Sequence, residues 1–152
     1  MADCILFKGP SHPLSNLFTV QGGLPAWGRH FCSLEQAYQF EKARIAEDRS
    51  QMLAILSTND PWEILAIGKK TKQVPCWLAQ REAVMRQLLR IKAQHCPQFR
   101  QFLINSGNRP LFENTRHPFW AQGMCGEGKN WLGLLLQEIR AGINYGLFPA
   151  QF

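Results

Sequence analysis

Ser33-Leu34-Glu35-Gln36-Ala37-Tyr38-Gln39-Phe40-Glu41-Lys42-Ala43 reads as the opening of a helix. A serine at the N-cap offers its hydroxyl to an early backbone N–H, and a glutamine three residues on can reach back. The spacing predicts a helix running to about residue 46. Outward from it, Asp60-Pro61-Trp62-Glu63 is a second start, with an N-cap, proline at N1 and an acid at N3; Gly68 would close it. Residues 78–95 form the longest amphipathic stretch, with Val84, Leu88 and Ile91 on one face beside Met85 and Leu89. Pro97 restarts a short helix carrying Phe99, Phe102 and Leu103, which stops near Ser106-Gly107. A last helix is expected from Trp131 to Arg140, with Asn130 as N-cap and Gly142 as stop. Before residue 30, turn formers at Gly9–Pro13 and Gln21–Pro25 flank two apolar pieces, Cys4–Phe7 and Leu17–Val20, which read as short strands. About five helices behind a small N-terminal β element make a mainly α, α+β class. The absence of βαβα alternation disfavours a doubly wound sheet.

The 152 residues, 45% hydrophobic and 18% charged, suit one domain over 1–152, with 143–152 as a C-terminal tail. Such a chain needs no metal or disulfide staple to fold. Tyr145, Phe148 and Phe152 in the tail would pack on the core or on a partner. Met1-Ala2-Asp3-Cys4 has no basic segment before its apolar one, so no signal peptide is expected, and no apolar run is long enough to span a bilayer. Five scattered cysteines, Cys4, Cys32, Cys76, Cys96 and Cys125, form no CxxC pair. Reduced thiols in cytoplasm or nucleus are the expectation. Seventeen Lys+Arg against eleven Asp+Glu give +6. That favours an anionic partner, nucleic acid or a phosphorylated small molecule, and equally suits a basic protein with no such partner.

Four groups of residues can carry chemistry. Glu35 and Lys42 are seven residues apart, nearly two turns, and so share a helix face with Tyr38 between them, roughly 10 Å apart along the axis. A carboxylate at the border of the apolar stripe Leu34, Tyr38, Ile45 can be partly desolvated and suited to proton transfer. An acid in a first helical turn and a solvated lysine would look the same. Gly123-Met124-Cys125-Gly126-Glu127-Gly128-Lys129-Asn130 runs straight into a helix. Inward backbone N–H groups, the helix N-terminus and Lys129 suit a phosphate, although a tight turn would share the pattern. It is not a Walker loop, because Asn130 follows Lys129, and no βαβ unit precedes it. Among Trp27, Trp62, Trp77, Trp120 and Trp131, the two in apparently irregular surroundings, Trp77 and Trp120, are candidate stacking platforms. Lys69-Lys70-Thr71-Lys72 could meet phosphates or be a solvated loop. The histidines, His12, His30, His95 and His117, show no metal spacing.

Taken in order, several segments resemble the NADAR superfamily, also called YbiA-like. They are Leu14-Ser15-Asn16-Leu17-Phe18; Ser33 to Ala43; Ile67-Gly68-Lys69-Lys70; Trp77; Val84-Met85; Leu89-Arg90-Ile91-Lys92; Leu111-Phe112-Glu113-Asn114-Thr115; Trp120; and Gly126-Glu127-Gly128-Lys129-Asn130-Trp131-Leu132-Gly133. The resemblance covers roughly residues 4 to 142. It implies a compact multihelical YbiA-like domain that hydrolyses an N-glycosidic bond. Family substrates are phosphorylated amino-pyrimidine intermediates of riboflavin synthesis and ADP-ribose attached to guanine bases of nucleic acid. Glu35 matches the family's essential acid; Lys42, Trp77, Trp120, Gly128 and Asn130 match pocket motifs. The chain departs from the family at Leu6-Phe7-Lys8. It departs again at Trp120-Ala121-Gln122-Gly123, where some relatives carry an acid that Gln122 cannot replace as a base.

The expectation is an N-glycosidase, an ADP-ribosyl hydrolase without metal or other cofactor. Glu35 and Lys42 are the expected catalytic residues. Asn16, Tyr38, Lys69, Lys70, Trp77, Trp120, Gly126, Gly128, Lys129 and Asn130 are expected to bind substrate. The partner would be ADP-ribose or a ribose-phosphate, or ADP-ribosylated DNA or RNA, with no membrane involved. Two alternatives stand beside it: a glycosidase acting on riboflavin intermediates, and a module that binds ADP-ribose or a nucleotide without cleaving it.

Overall fold

The computed structural model describes residues 3–123 and 125–152. Met1, Ala2 and Met124, part of the N-terminal stretch and of the glycine loop quoted above, lie outside the described residues. The elements in order are β1 (Ile5–Phe7), β2 (Thr19–Ala26), β3 (Arg29–Ser33), α1 (Leu34–Ile45), α2 (Arg49–Leu56), α3 (Pro61–Lys70), α4 (Pro75–His95), α5 (Pro97–Asn105), β4 (Leu111–Glu113) and α6 (Trp131–Asn144). The fold is mainly helical with small β elements, as the caps and periodicities predict.

Local signals account for most boundaries. Ser33 Oγ accepts the Gln36 N–H at 3.1 Å, while Gln36 Oε1 reaches back past Ser33 to the Cys32 N–H at 2.7 Å. Asp60 caps α3 through Trp62 N at 2.9 Å, with Pro61 at the first helical position. Helix α2 was not expected. Its eight residues carry only weak amphipathic patterning, and its one clear signal is the Asp48 cap on Gln51 N, 3.0 Å. Helix α4 starts at Pro75 rather than 78, so Trp77 belongs to a first helical turn and not to a loop. Helix α6 runs through Gly142 to Asn144. Gly142 is not a stop: a Cβ there would strike the Phe148 ring, so it makes room for the tail. The tail packs on the core, with Arg100 Nη1 donating to Phe148 O at 2.6 Å and Gln151 N to Gln94 O at 2.8 Å, while Tyr145 and Phe152 stay exposed.

The strands form two small sheets. β2 and β3 form an antiparallel hairpin turning at Trp27 and Gly28, both with positive φ (50° and 76°). That backbone matches the right-handed twist of the strands. The Gln21–Pro25 stretch, read above as loop, lies inside β2, with a register irregularity between Thr19 and Leu24. β1 pairs in parallel with β4, Ile5 opposite Leu111 and Phe7 opposite Glu113. A parallel pair requires a long crossover; here the crossover is most of the chain. Three residues of β4 are too few to show a period, so 107–130 reads as irregular from sequence.

α1 is central. Every residue from Leu34 to Ala43 is buried, polar ones included. It packs against α4, whose Met85, Leu88 and Leu89 are buried, and against β3, where Phe31 meets Phe40. Lys92, fully buried on α4, donates to Pro13 O and Ser15 O, both at 2.9 Å, and sits 4.6 Å from the Phe99 ring centroid. It pins the Gly9–Phe18 segment onto the helix. Burial pushes its ammonium down to about 7. Replacing Lys92 by Met strands two carbonyls without their donor and is expected to cost about 3 kcal/mol, read as a lower urea midpoint at unchanged slope.

Candidate active site

The face of α1 that holds Glu35 also presents Tyr38, Gln39 and Lys42, as a 3.6-residue period requires. Glu35 is only 8% exposed. Its N–H bonds to Asn16 O at 3.0 Å, and its Oε1 accepts Gln39 Nε2 at 2.7 Å. Burial raises the Glu35 carboxyl above its ordinary range, opposed by the Gln39 hydrogen bond and the Lys42 charge. Lys42 Nζ donates to Gly68 O at 2.7 Å; burial lowers its pKa, with Glu35 pulling the other way. Gly68 has a second role here. A Cβ on it would collide with the Gln39 side chain, so only glycine lets that amide lie between α1 and α3 and reach Glu35.

An aromatic brace stands beside the acid. Trp120 Nε1 donates to the Tyr38 hydroxyl at 3.1 Å, and the Tyr38 ring meets Trp77 and Trp120 edge-on, with centroids 4.9 and 5.9 Å away. Trp77 is 1% exposed and packs against Tyr38. Burial and the neighbouring Glu35 push the Tyr38 hydroxyl pKa upward.

Three groups that sequence reasoning did not single out complete the cluster. Arg81, one helical turn beyond Trp77, stacks on the Phe119 ring with its guanidinium carbon 3.8 Å from the centroid. Its charge reaches Tyr38, Lys42 and His117. His117 Nδ1 accepts the Phe119 and Trp120 N–H groups at 3.1 and 3.2 Å; burial, then Arg81 and Lys42, hold the imidazole below its usual pKa. Glu113 ends β4. The i,i+4 spacing of Trp77 with Arg81 and of Glu35 with Gln39 were signals available in the sequence; Glu113 lay inside a segment that carries the family resemblance, and His117 had no signal.

The remaining expected residues fall into two groups. Asn16 is buried: Nδ2 lies 3.5 Å from Met85 Sδ, and neither Asn16 Oδ1 nor Gln39 Oε1 has a donor among the described residues. Asn130 stands before α6 with φ 50° but makes no capping bond. Its amide is spent on β4, Nδ2 on Leu111 O (2.9 Å) and Oδ1 on Glu113 N (3.2 Å). The expected capping role is therefore corrected to a strand anchor. Gly128 N donates to Gln122 O at 2.6 Å, and a Cβ would strike the Ala121 and Gln122 backbone, which folds the loop back on itself. Gly126 and Lys129 are exposed, the latter with Nζ 5.9 Å from the Phe119 ring. Lys69 and Lys70 are exposed at the C-terminus of α3. Gln122 Nε2 donates to Asn114 Oδ1 at 2.7 Å.

Two concavities of the surface lie away from Glu35. One of about 320 Å³ is bordered by His30, Cys32, Gln36 and Asn59. Another of about 400 Å³ is bordered by Trp27 and Arg29 of the hairpin and by Phe40, Glu41 and Arg44, which α1 turns to the side opposite Glu35. Buried charge, not volume, marks the Glu35 cluster. Among the described residues no three His, Cys, Asp or Glu side chains gather to hold a metal ion, and no helix is long and apolar enough to cross a membrane.

A NADAR domain model matches residues 7–144, which takes in every group of this cluster. The chain belongs to the NADAR domain family. Over 65 residues this NADAR chain is 38% identical to the N-glycosidase YbiA of Escherichia coli strain K12, a stretch covering 42% of the chain and 41% of that relative. It is 30% identical over 122 residues to the chloroplastic riboflavin biosynthesis protein PYRR of Zea mays, covering 76% of the chain and 19% of that protein. The NMR structure of E. coli YbiA superposes with a TM-score of 0.77 at 26% identity, over 96% of this chain and 88% of that one.

In the NADAR chain, Gln39→Met removes the side-chain hydrogen bond that, among the described residues, stabilises the ionised Glu35 carboxyl. The Glu35 pKa is expected to rise further in that variant, seen as an upward-shifted titration of its side-chain carbon in ¹³C NMR.

Proposed function

We propose that this protein is an N-glycoside hydrolase that removes ADP-ribose from guanine bases of nucleic acid or nucleotides, with residues 1–152 acting as one catalytic unit. The observation that carries this reading is the desolvated Glu35 carboxyl held by Gln39 and faced by Lys42. Cleaving a ribose–nitrogen bond places positive charge on the sugar. A carboxylate in a low-dielectric setting stabilises that charge strongly and can take a proton from the attacking water.

Lys42 orients Glu35 electrostatically. With its pKa lowered by burial it is also suited to a Schiff base with an opened ribose. Among the described residues Asn16 Oδ1 and Gln39 Oε1 are buried acceptors without a donor. The loop from Gly126 to Asn130 with Lys129, and Lys69 or Lys70 at the end of α3, would hold phosphates, while Trp77 and Trp120, too buried to serve as the expected stacking platforms, brace Tyr38 instead. The +6 charge favours a nucleic-acid substrate. Localisation in cytoplasm or nucleus fits that substrate.

A second reading is favoured by a specific observation: a relative aligned over 76% of the chain is named for riboflavin biosynthesis. The substrate would then be a phosphorylated amino-pyrimidine riboside.

Incubation with ADP-ribosylated guanosine, and separately with that riboside, is expected to release free ADP-ribose from the first. Glu35→Gln should cut release by ~100-fold or more while ADP-ribose binding, measured by calorimetry, is retained. Release only from the riboside would establish the second reading. Tight ADP-ribose binding with no release from either substrate would make the protein a binding module.

A further inference from the structure

The hairpin turn between β2 and β3 carries an unexpected residue. Both of its central positions need a positive φ, and asparagine and glycine are the favoured pair there. Gly28 suits the second position. The first is Trp27, held at φ 50°, where a Cβ crowds its own carbonyl. A bulky residue kept against its backbone preference points to a task for its side chain. Trp27 is 40% exposed and borders the hollow of about 400 Å³ on the flank of α1 away from Glu35. Phe31 meets its ring edge-on, with centroids 6.2 Å apart and planes at 74°. Among the described residues no aromatic ring stacks on its faces.

The rest of the border has a definite chemistry. Phe40 and Met52 supply apolar wall. Arg29 Cζ lies 5.3 Å from the Phe40 centroid, and its guanidinium makes no ion pair among the described residues. Arg44 is held differently: the buried Glu41 carboxylate accepts its Nε at 2.9 Å. Two guanidiniums against one carboxylate leave the border with a positive charge to spare.

Most occupants meet an obstacle here. A cation would seek the Phe40 ring and the Glu41 carboxylate, but Arg29 covers the one and Arg44 holds the other. A wholly apolar ligand would bury the Arg29 charge without compensation. An anion without a ring would leave Trp27 unused. A nucleotide uses both, its base offering a π-face to Trp27 and its phosphate an acceptor to Arg29. Trp27, Arg29 and Arg44 are all exposed, whereas a free small molecule needs a site that encloses roughly 70–90% of its surface. A nucleotide within a strand suits so open a border, because its neighbours add contacts. In a duplex the bases stack on one another and are closed to Trp27.

We propose that the hollow bordered by Trp27, Arg29, Phe40 and Arg44 binds single-stranded nucleic acid, one base stacking on Trp27 and an adjoining phosphate pairing with Arg29. The site lies across α1 from Glu35 and does not rest on the glycosidase reading.

Fluorescence anisotropy of the full chain with a labelled oligothymidylate of about 12 nucleotides tests this, in salt from about 50 to 200 mM. Wild type should bind, more weakly as salt rises. Arg29→Gln should weaken binding and flatten the slope of log affinity against log salt by about 0.7, the loss of one single-strand phosphate contact. Trp27→Asn should weaken binding about ten-fold while keeping its fold by circular dichroism, since Asn-Gly suits the turn. If that variant does not fold, the Arg29→Gln slope decides. Arg90→Gln removes an equal charge from α4, beside Phe148, and should leave affinity and slope as in wild type. Wild-type affinity in both Arg29→Gln and Trp27→Asn overturns the proposal. Equal losses in Arg90→Gln and Arg29→Gln do so too, leaving only the general attraction of a basic chain. Equal affinity for the same strand paired with its complement, or for free thymidine monophosphate, overturns the assignment to a single strand. So does no binding by wild type at about 100 μM protein in about 50 mM salt.

Discussion

Taking a carboxylate out of water costs several kcal/mol unless its surroundings replace the lost hydration, and the neighbourhood of Glu35 is arranged around that cost. The Ser33-capped N-terminus of α1 lends positive potential. Gln39 supplies a hydrogen bond and Lys42 a charge. Lys42 in turn needs an acceptor, which Gly68 provides, and Gly68 must lack a side chain because Gln39 occupies the space. The seating of α3 against α1 thus follows from the demands of one buried acid.

The same constraint explains why the site is recognisable by electrostatics rather than by volume. Two surface hollows lie elsewhere, on the other flank of α1 and beside β3. Around Glu35 the structure gathers opposite charges in a low-dielectric setting: acids from α1 and β4, cations from α1 and α4. Interactions there are screened far less than at the surface. Membership in the NADAR family places this cluster inside the matched region. The aromatic brace of Tyr38, Trp77 and Trp120 keeps bulk water from one side of it.

Legibility followed the range of the interaction. Helix starts with an N-cap and an acid or amide three residues on were readable because the bonds span a few residues, as at Ser33 and Asp60. Glu35 and Lys42 could be paired because a helical period alone puts them on one face. The strand β4 could not be read, since three residues carry no period and its partner β1 lies at the other end of the chain. Asn130 was placed correctly before α6, but its amide turned to β4, a destination no local rule supplies. Trp77 lies ahead of the amphipathic stretch that starts at 78 and so reads as irregular, whereas Pro75 sits at the first helical position and brings Trp77 into α4.

What the amino-acid sequence determined by itself is the set of local decisions: where helices begin, which face of α1 holds the acid, and a composition that buries a core without staples. What only the tertiary structure decided is the company Glu35 keeps. Arg81, Glu113 and His117 come from separate segments, and their approach to α1 depends on a parallel strand pair, a buried lysine and a tryptophan–tyrosine bond that link residues distant in the chain. Local preferences act within a few residues, while desolvation and charge coupling depend on distances through space that only the packed chain sets.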